Sequence, residues 1–209
     1  MLITDMNELI ERIITHLQIS VTGVALAAAF GMTVGILLTR FPKLATPSIS
    51  VIEVFQTIPS LAMLSILLIF FGLGNTTAIM AIFFYSLLPI VRNTHAGIMS
   101  VDPALLEAGR GMGMNGLQIL FRVEIPNAIP VIVSGLRISL ITAYGIVTIS
   151  VLVGGGGLGR FVYRGIQMQN MSVMLTGAIP IAIMAFLTDL LLNRLEKNLT
   201  KHNRRTSHA

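Results

Sequence analysis

Five apolar stretches, each close in length to the thickness of a bilayer's hydrocarbon layer, constrain this chain more than any other feature. They run from Ile13 to Leu38, Ile49 to Phe71, Thr76 to Ile98, Ala128 to Val153 and Val173 to Leu192. A helix needs about 20 predominantly apolar residues to cross roughly 30 Å of hydrocarbon. Lipid offers no partner to backbone N–H and C=O groups, so a spanning segment is a helix or part of a closed barrel. These runs are continuous and lack the strict alternation of a barrel strand. The expectation is an all-α, polytopic membrane protein with five transmembrane helices, built as a single domain over residues 1–209. A hydrophobic share of 54% and a mean hydropathy of +0.84 exceed what a water-soluble surface on a chain of this size tolerates.

Charge gives the orientation. With the polar segment from Asp102 to Pro126 on the cytoplasmic side, Arg40, Lys43, Arg92, Arg110, Arg122, Arg194, Lys197, Lys201, Arg204 and Arg205 all fall inside, against Arg12, Arg160 and Arg164 outside. The positive-inside bias therefore predicts an outer amino terminus and a cytoplasmic carboxyl terminus. Asp5, Glu8 and Glu11 precede the first run where a secretory signal would be basic, which predicts no cleaved leader. The basic tail KNLTKHNRRTSHA reads as a contact with anionic headgroups rather than with nucleic acid.

The segment DPALLEAGRGMGMNGLQILFRVEIP, Asp102 to Pro126, carries Asp102, Glu107, Arg110, Arg122 and Glu124 in a chain that is 11% charged. Asp102-Pro103 is a helix start, with the carboxylate positioned to accept from free amides and proline at the first helical position. Gly109, Gly111 and Gly113 each disfavour helix by about 1 kcal/mol relative to alanine, which predicts a turn near Gly113. Asn115 with Gln118 resembles a capping box opening a second short helix, which Pro126 is expected to stop. Leu117, Leu120 and Phe121 share a face there, beside Met112 and Met114. On spacing alone that face packs on the protein's own helix ends or docks into a partner's groove.

The run Glu107-Ala108-Gly109, three residues, Gly113, nine residues, Val123-Glu124-Ile125-Pro126 resembles the EAA loop of membrane subunits of bacterial ABC importers, written EAA-x3-G-x9-I-x-L-P. Gly109, Val123 and Ile125 replace alanine, isoleucine and leucine. The resemblance covers nearly the whole chain and implies a type I importer permease of the MetI-like kind, with a cytoplasmic coupling loop at about residues 100–127 that binds the ATPase. Glu107 would anchor the loop, Gly113 would allow its turn, and Leu117 and Phe121 would belong to the docking face. The segments EVFQTIPSLAML (Glu53 to Leu64), Arg110 to Ile138 and VLVGGGGLGR (Val151 to Arg160) are similar to osmoprotectant permeases for glycine betaine, carnitine and choline. Methionine permeases carry similar segments, so a methionine or other amino-acid importer is the alternative. The implied partners are ABC ATPase subunits, a second permease subunit, identical or paralogous, an extracellular or lipid-anchored substrate-binding protein, and membrane lipid. The localisation implied is the bacterial cell membrane.

No G-x-x-x-x-G-K-[ST] occurs, so ATP and Mg²⁺ are expected to be used by the partner and no cofactor is expected on this chain. Gly111, Gly113 and Gly116 fit G-x-G-x-x-G, but no acidic residue follows about 20 positions on, which rejects a dinucleotide site. His16 and His95 stand apart and cysteine is absent, which argues against a metal site. A secondary transporter is expected to show repeats or an ionisable relay, and neither is found. An enzyme would need a clustered nucleophile and base or paired carboxylates.

Gln56, Thr57, Pro59 and Ser60 interrupt the second run. Such a break is either a packed kink or a lining of the translocation path. Gly154, Gly155, Gly156, Gly157 and Gly159 open the last outer connection, as tight turns and close packing or as a hinge or gate. Arg92, Arg137 and Asp189 lie in or near spans, where an unpaired charge at the centre costs roughly 2.5–3.5 kcal/mol, so they are expected to pair, face the bundle or sit near inner ends. Gly23, Ala27, Gly31 and Gly35 form a small-residue stripe, open to packing within the subunit or across a permease dimer. Only Tyr85, Tyr144 and Tyr163 are available to cage a quaternary ammonium group. High-affinity recognition is therefore expected in the binding protein.

Overall fold

The computed structural model describes residues 6–206, with side chains over 6–200. Asp5 and the side chains of Lys201, Arg204 and Arg205, part of the basic tail assigned above to lipid headgroups, lie outside that range. Among the described residues the chain is all-α, without strands. Helix α1 spans Met6–Arg40, α2 Pro42–Thr57, α3 Ser60–Phe71 and α4 Asn75–Met99. Two short helices follow, α5 Pro103–Gly111 and α6 Gly116–Ile119. A π turn, Leu120–Glu124, leads into α7, Ile125–Ile149, and a 3₁₀ turn, Ser150–Val153, leads out of it. Helices α8, Gly159–Gln167, and α9, Met171–Thr206, complete the chain.

Four helices are long and apolar enough to cross a membrane: Met6–Arg40, Asn75–Met99, the continuous rod Gly116–Val153 and Met171–Thr200. The fifth expected span is not one straight helix. Its window falls on α2 and α3, which meet at 97°. Pro59 has no N–H to continue α2, and steric pressure from its ring holds Ile58 extended, at φ −73° and ψ 126°.

Helix α4 is the centre of the bundle, packed by α1 on one side and α7 on another. The α1 stripe is what brings α1 close. A Cβ at Gly23 would stand 2.6 Å from Ile82 Cγ2, and one at Gly35 2.7 Å from Thr94 Cβ. Ala27 between them is fully buried. The stripe therefore serves packing within the subunit, and small residues admit the close approach that dispersion needs in lipid. Leu64 of α3, Ile82 of α4 and Val147 of α7 fill the resulting core. Almost none of the apolar window of α9 is buried, so that helix presents its side chains to lipid or to a partner.

Candidate coupling surface and translocation groove

The loop between α4 and α7 is built by local chemistry. Asp102 Oδ1 accepts from Ala104 N at 2.9 Å and starts α5. The helix ends in a Schellman arrangement: Gly113 N donates to Arg110 O at 2.9 Å and Met114 N to Gly109 O at 3.1 Å, with Gly113 at φ +79°. Asn115 and Gln118 then form the expected capping box, each side chain accepting from the other's backbone N–H at 2.9 and 2.8 Å. Glu107 and Ala108 are exposed, whereas Gly109 is buried. A methyl on Gly109 would meet Met114 Sδ at 3.5 Å and Ile119 Cγ1 at 3.6 Å, ordinary contacts, so the alanine of the EAA pattern fits here.

Pro126 does not stop the second helix. The π turn inserts a wider step, with Ile125 N donating to Leu120 O five residues back, and Pro126 falls in the first turn of α7. A proline there removes an N–H that the shifted ladder does not require. Asn127 Nδ2 donates to Val123 O at 2.8 Å, satisfying a carbonyl near the wide turn. The loop's second helix and the membrane rod are thus one mechanical piece.

The shared face of Leu117, Leu120 and Phe121 is divided. Leu120 is buried against Ile98, Ala128 and Ile132. Leu117 and Phe121 stand 69% and 64% exposed, with Met112 at 70%. Val123 and Ile125 are half-buried and Pro126 is exposed. One residue of the face packs inward, and an apolar set of three, Met112 included, projects from a polar loop. Glu124, 6% exposed, accepts two hydrogen bonds from the Arg40 guanidinium at the end of α1. Sequence spacing did not bring these two together, since they are 84 positions apart. The available signal was a carboxylate set in an otherwise apolar Val123–Ile125 step.

The α2–α3 break opens onto a groove. One stretch, about 500 Å³, is lined by Gln56, Thr57, Ile58, Pro59 and Ser60 together with Thr142, Gly145 and Ile149 of α7. A second, about 320 Å³, shares Gln56, Tyr85 and Thr142 and extends past Asn93 to Arg92. Gln56 Nε2 donates to Tyr85 O at 2.9 Å, and the Tyr85 hydroxyl donates to Ile58 O, occupying a carbonyl at the break. Thr57 Oγ1 donates back to Val54 O at 2.7 Å. Arg92 pairs with Glu53 of α2, and Arg137 lies 3.6 Å from both Asp189 and Glu196 of α9. All three charges singled out in the spans are therefore paired. Glu53 is the member of the Arg92 pair that spacing does not mark, although a lone carboxylate in an apolar window is a signal in itself.

At the opposite end, Gly154 to Gly159 form a packed junction. Gly156 N donates to Asn75 Oδ1 at 2.7 Å, and Leu158 N to the Nδ1 of buried His16 at 3.3 Å. A Cβ on Gly159 would lie 2.2 Å from Thr148 O, so only glycine permits this approach. Gly155, Gly156 and Gly157 are buried in the same junction and Gly154 is exposed. Tyr144 bonds Thr188 at 2.9 Å and lies 5.9 Å from His16, away from the lining of the groove. No group of three or more potential metal-ligating side chains occurs among the described residues.

The profile of the family described as binding-protein-dependent transport system inner membrane component matches residues 12–201. The chain is 47% identical over 186 residues to the permease protein OpuCD of the glycine betaine/carnitine/choline transport system of Bacillus subtilis (strain 168), covering 88% of this chain and 81% of the relative. It is 45% identical over 185 residues to the carnitine transport permease protein OpuCB of Listeria monocytogenes, covering 88% and 85%. The fold matches the inward-facing MetNI methionine ABC transporter with a TM-score of 0.86 at 25% identity, over 96% of this chain and all of that one.

Proposed function

Because the chain belongs to the binding-protein-dependent transport system inner membrane component family, we propose that it is the permease subunit of an ATP-driven importer of glycine betaine, carnitine or choline type osmoprotectants. The observation that carries the substrate class is the 45–47% identity to permeases of carnitine and glycine betaine/carnitine/choline transport systems. The likeness to the methionine transporter is 25%.

In this reading ABC ATPase subunits, which use ATP and Mg²⁺, bind the loop through Met112, Leu117 and Phe121, with Glu107 orienting it. A hydrophobic set on a polar loop suits a partner's groove. The continuous rod from Gly116 to Val153 carries loop movement directly to Thr142, Gly145 and Ile149 in the groove wall. The Arg40–Glu124 pair makes α1 follow. The groove is the translocation path, covered by a second permease subunit, because lipid would penalise the polar side chains of Gln56, Ser60 and Thr142 in its lining. The glycine junction Gly154–Gly159 acts as the outer seam that parts when the path opens outward. A separate binding protein supplies affinity, consistent with the structural bonds that Tyr85 and Tyr144 already make. The loop faces the cytoplasm, the amino terminus lies outside and the carboxyl terminus inside.

Reconstitution of the chain with its ATPase, second permease and binding protein tests this directly: osmoprotectant uptake driven by ATP is expected, and failure to bind any ATPase contradicts it. Replacing Gln56 and Thr57 by leucine is expected to abolish substrate-stimulated ATPase and uptake while leaving assembly intact. Unchanged transport by that variant excludes the path assigned to the groove. The chain has no cysteine, so single cysteines at Met112 and Met168 report orientation. An impermeant maleimide added outside is expected to label only the second.

A further inference from the structure

Among the described residues lining the two stretches of the groove, the one charged side chain, Arg92, is tied to a carboxylate on a neighbouring helix. Helix α2 carries Glu53 and α4 carries Arg92, and their side chains pair, 41% and 54% exposed. Arg92 itself lines the narrower stretch, next to Gln56 and Asn93. It sits 17 residues after Asn75, roughly 25 Å along α4 at 1.5 Å per residue, and so lies toward the loop end. The pocket of about 320 Å³ falls within the size range of small-ligand sites. A solvent-accessible ion pair of this kind, with Arg92 in the groove lining, is weak as a structural tie, since exposed pairs contribute about 0–1 kcal/mol. Its charges are nevertheless available to a passing solute.

We propose that Glu53 and Arg92 form a charge-reading subsite for zwitterionic solutes at the inner end of the groove, resting on the osmoprotectant and path readings above. Glycine betaine and carnitine carry a quaternary ammonium group and a carboxylate. The carboxylate takes the Arg92 guanidinium with two hydrogen bonds, and the ammonium group, which cannot donate a hydrogen bond, rests against the Glu53 carboxylate by Coulomb attraction. The zwitterion thus exchanges one ion pair for two. A simple cation such as choline satisfies Glu53 and leaves Arg92 facing a like charge. The unit therefore favours the zwitterion on passage, independently of the affinity of the binding protein.

The test measures ATP-driven uptake of glycine betaine and of choline by the reconstituted complete complex with excess binding protein, using wild type, Arg92→Gln, Glu53→Gln and the double variant. Each single substitution breaks the same ion pair, so a purely structural role moves both variants alike. A charge-reading role moves them apart: the choline-to-betaine ratio of Arg92→Gln is expected to exceed that of Glu53→Gln at least about tenfold, on the order of what a screened unit charge at close range supplies. The double variant, which reads neither charge, is expected to fall between them and above the wild-type ratio. Coincident ratios for the two single variants, or failure of both to assemble with the ATPase, overturn the subsite. A wild-type complex that moves neither solute overturns the osmoprotectant reading instead.

Discussion

Substitution of Gly113 isolates the backbone contribution to the loop proposed to bind the ATPase. The residue sits at φ +79°, and a Cβ there would meet nothing within 4 Å, so no side-chain clash contributes. What remains is the left-handed conformation, which costs an L-residue about 1–2 kcal/mol. Alanine also narrows the unfolded ensemble, which returns about 0.4–1 kcal/mol. The net loss for Gly113→Ala is therefore on the order of 1 kcal/mol, about a fivefold drop in the population of the closed turn. Asparagine tolerates the left-handed region and is expected to lose less. Valine, branched at Cβ, is expected to lose more and to uncouple ATPase from uptake. The assay is substrate-stimulated ATPase and transport in the reconstituted complex, with membrane insertion as the control. The order Gly, Asn, Ala, Val is expected. Normal coupling by the valine variant, or an asparagine variant worse than alanine, refutes the backbone account.

Gly109→Ala is expected to raise the stability of α5 by up to about 1 kcal/mol without loss of coupling, because the methyl enters space at ordinary contact distance; a fall in melting temperature in detergent contradicts this. Arg40→Met leaves the buried Glu124 carboxylate unpaired, at a cost of about 1–3 kcal/mol, and Arg40→Met with Glu124→Gln is expected to recover most of it. A double-mutant cycle by thermal unfolding measures the coupling, and additive losses argue against the pair. Gly35→Ala drives a methyl to 2.7 Å from Thr94 Cβ and 3.0 Å from Val91 O, so α1 must shift at about 1–3 kcal/mol. Melting of the purified subunit at the wild-type temperature would show that the α1–α4 contact gives way more easily than its geometry implies.

The amino-acid sequence is enough to specify the all-helical membrane architecture, because backbone desolvation in lipid leaves helices as the use of continuous apolar runs of this length. It likewise determined the caps at Asp102 and Asn115 and the turn at Gly113, all of which depend on partners within a few residues. Helix packing resolves what spacing leaves open. It put the small stripe of α1 on α4 within the subunit, and it divided the Leu117, Leu120 and Phe121 face into one buried and two exposed residues. Local rules fail at Pro126 because its cost is absorbed by a π turn, which is a property of the whole loop-to-rod junction. The α2–α3 run was foreseen as broken, but its 97° bend was not. Arg40 met Glu124, and Glu53 met Arg92, only through helix packing, since ion pairs 84 and 39 positions apart leave no periodic trace in a chain.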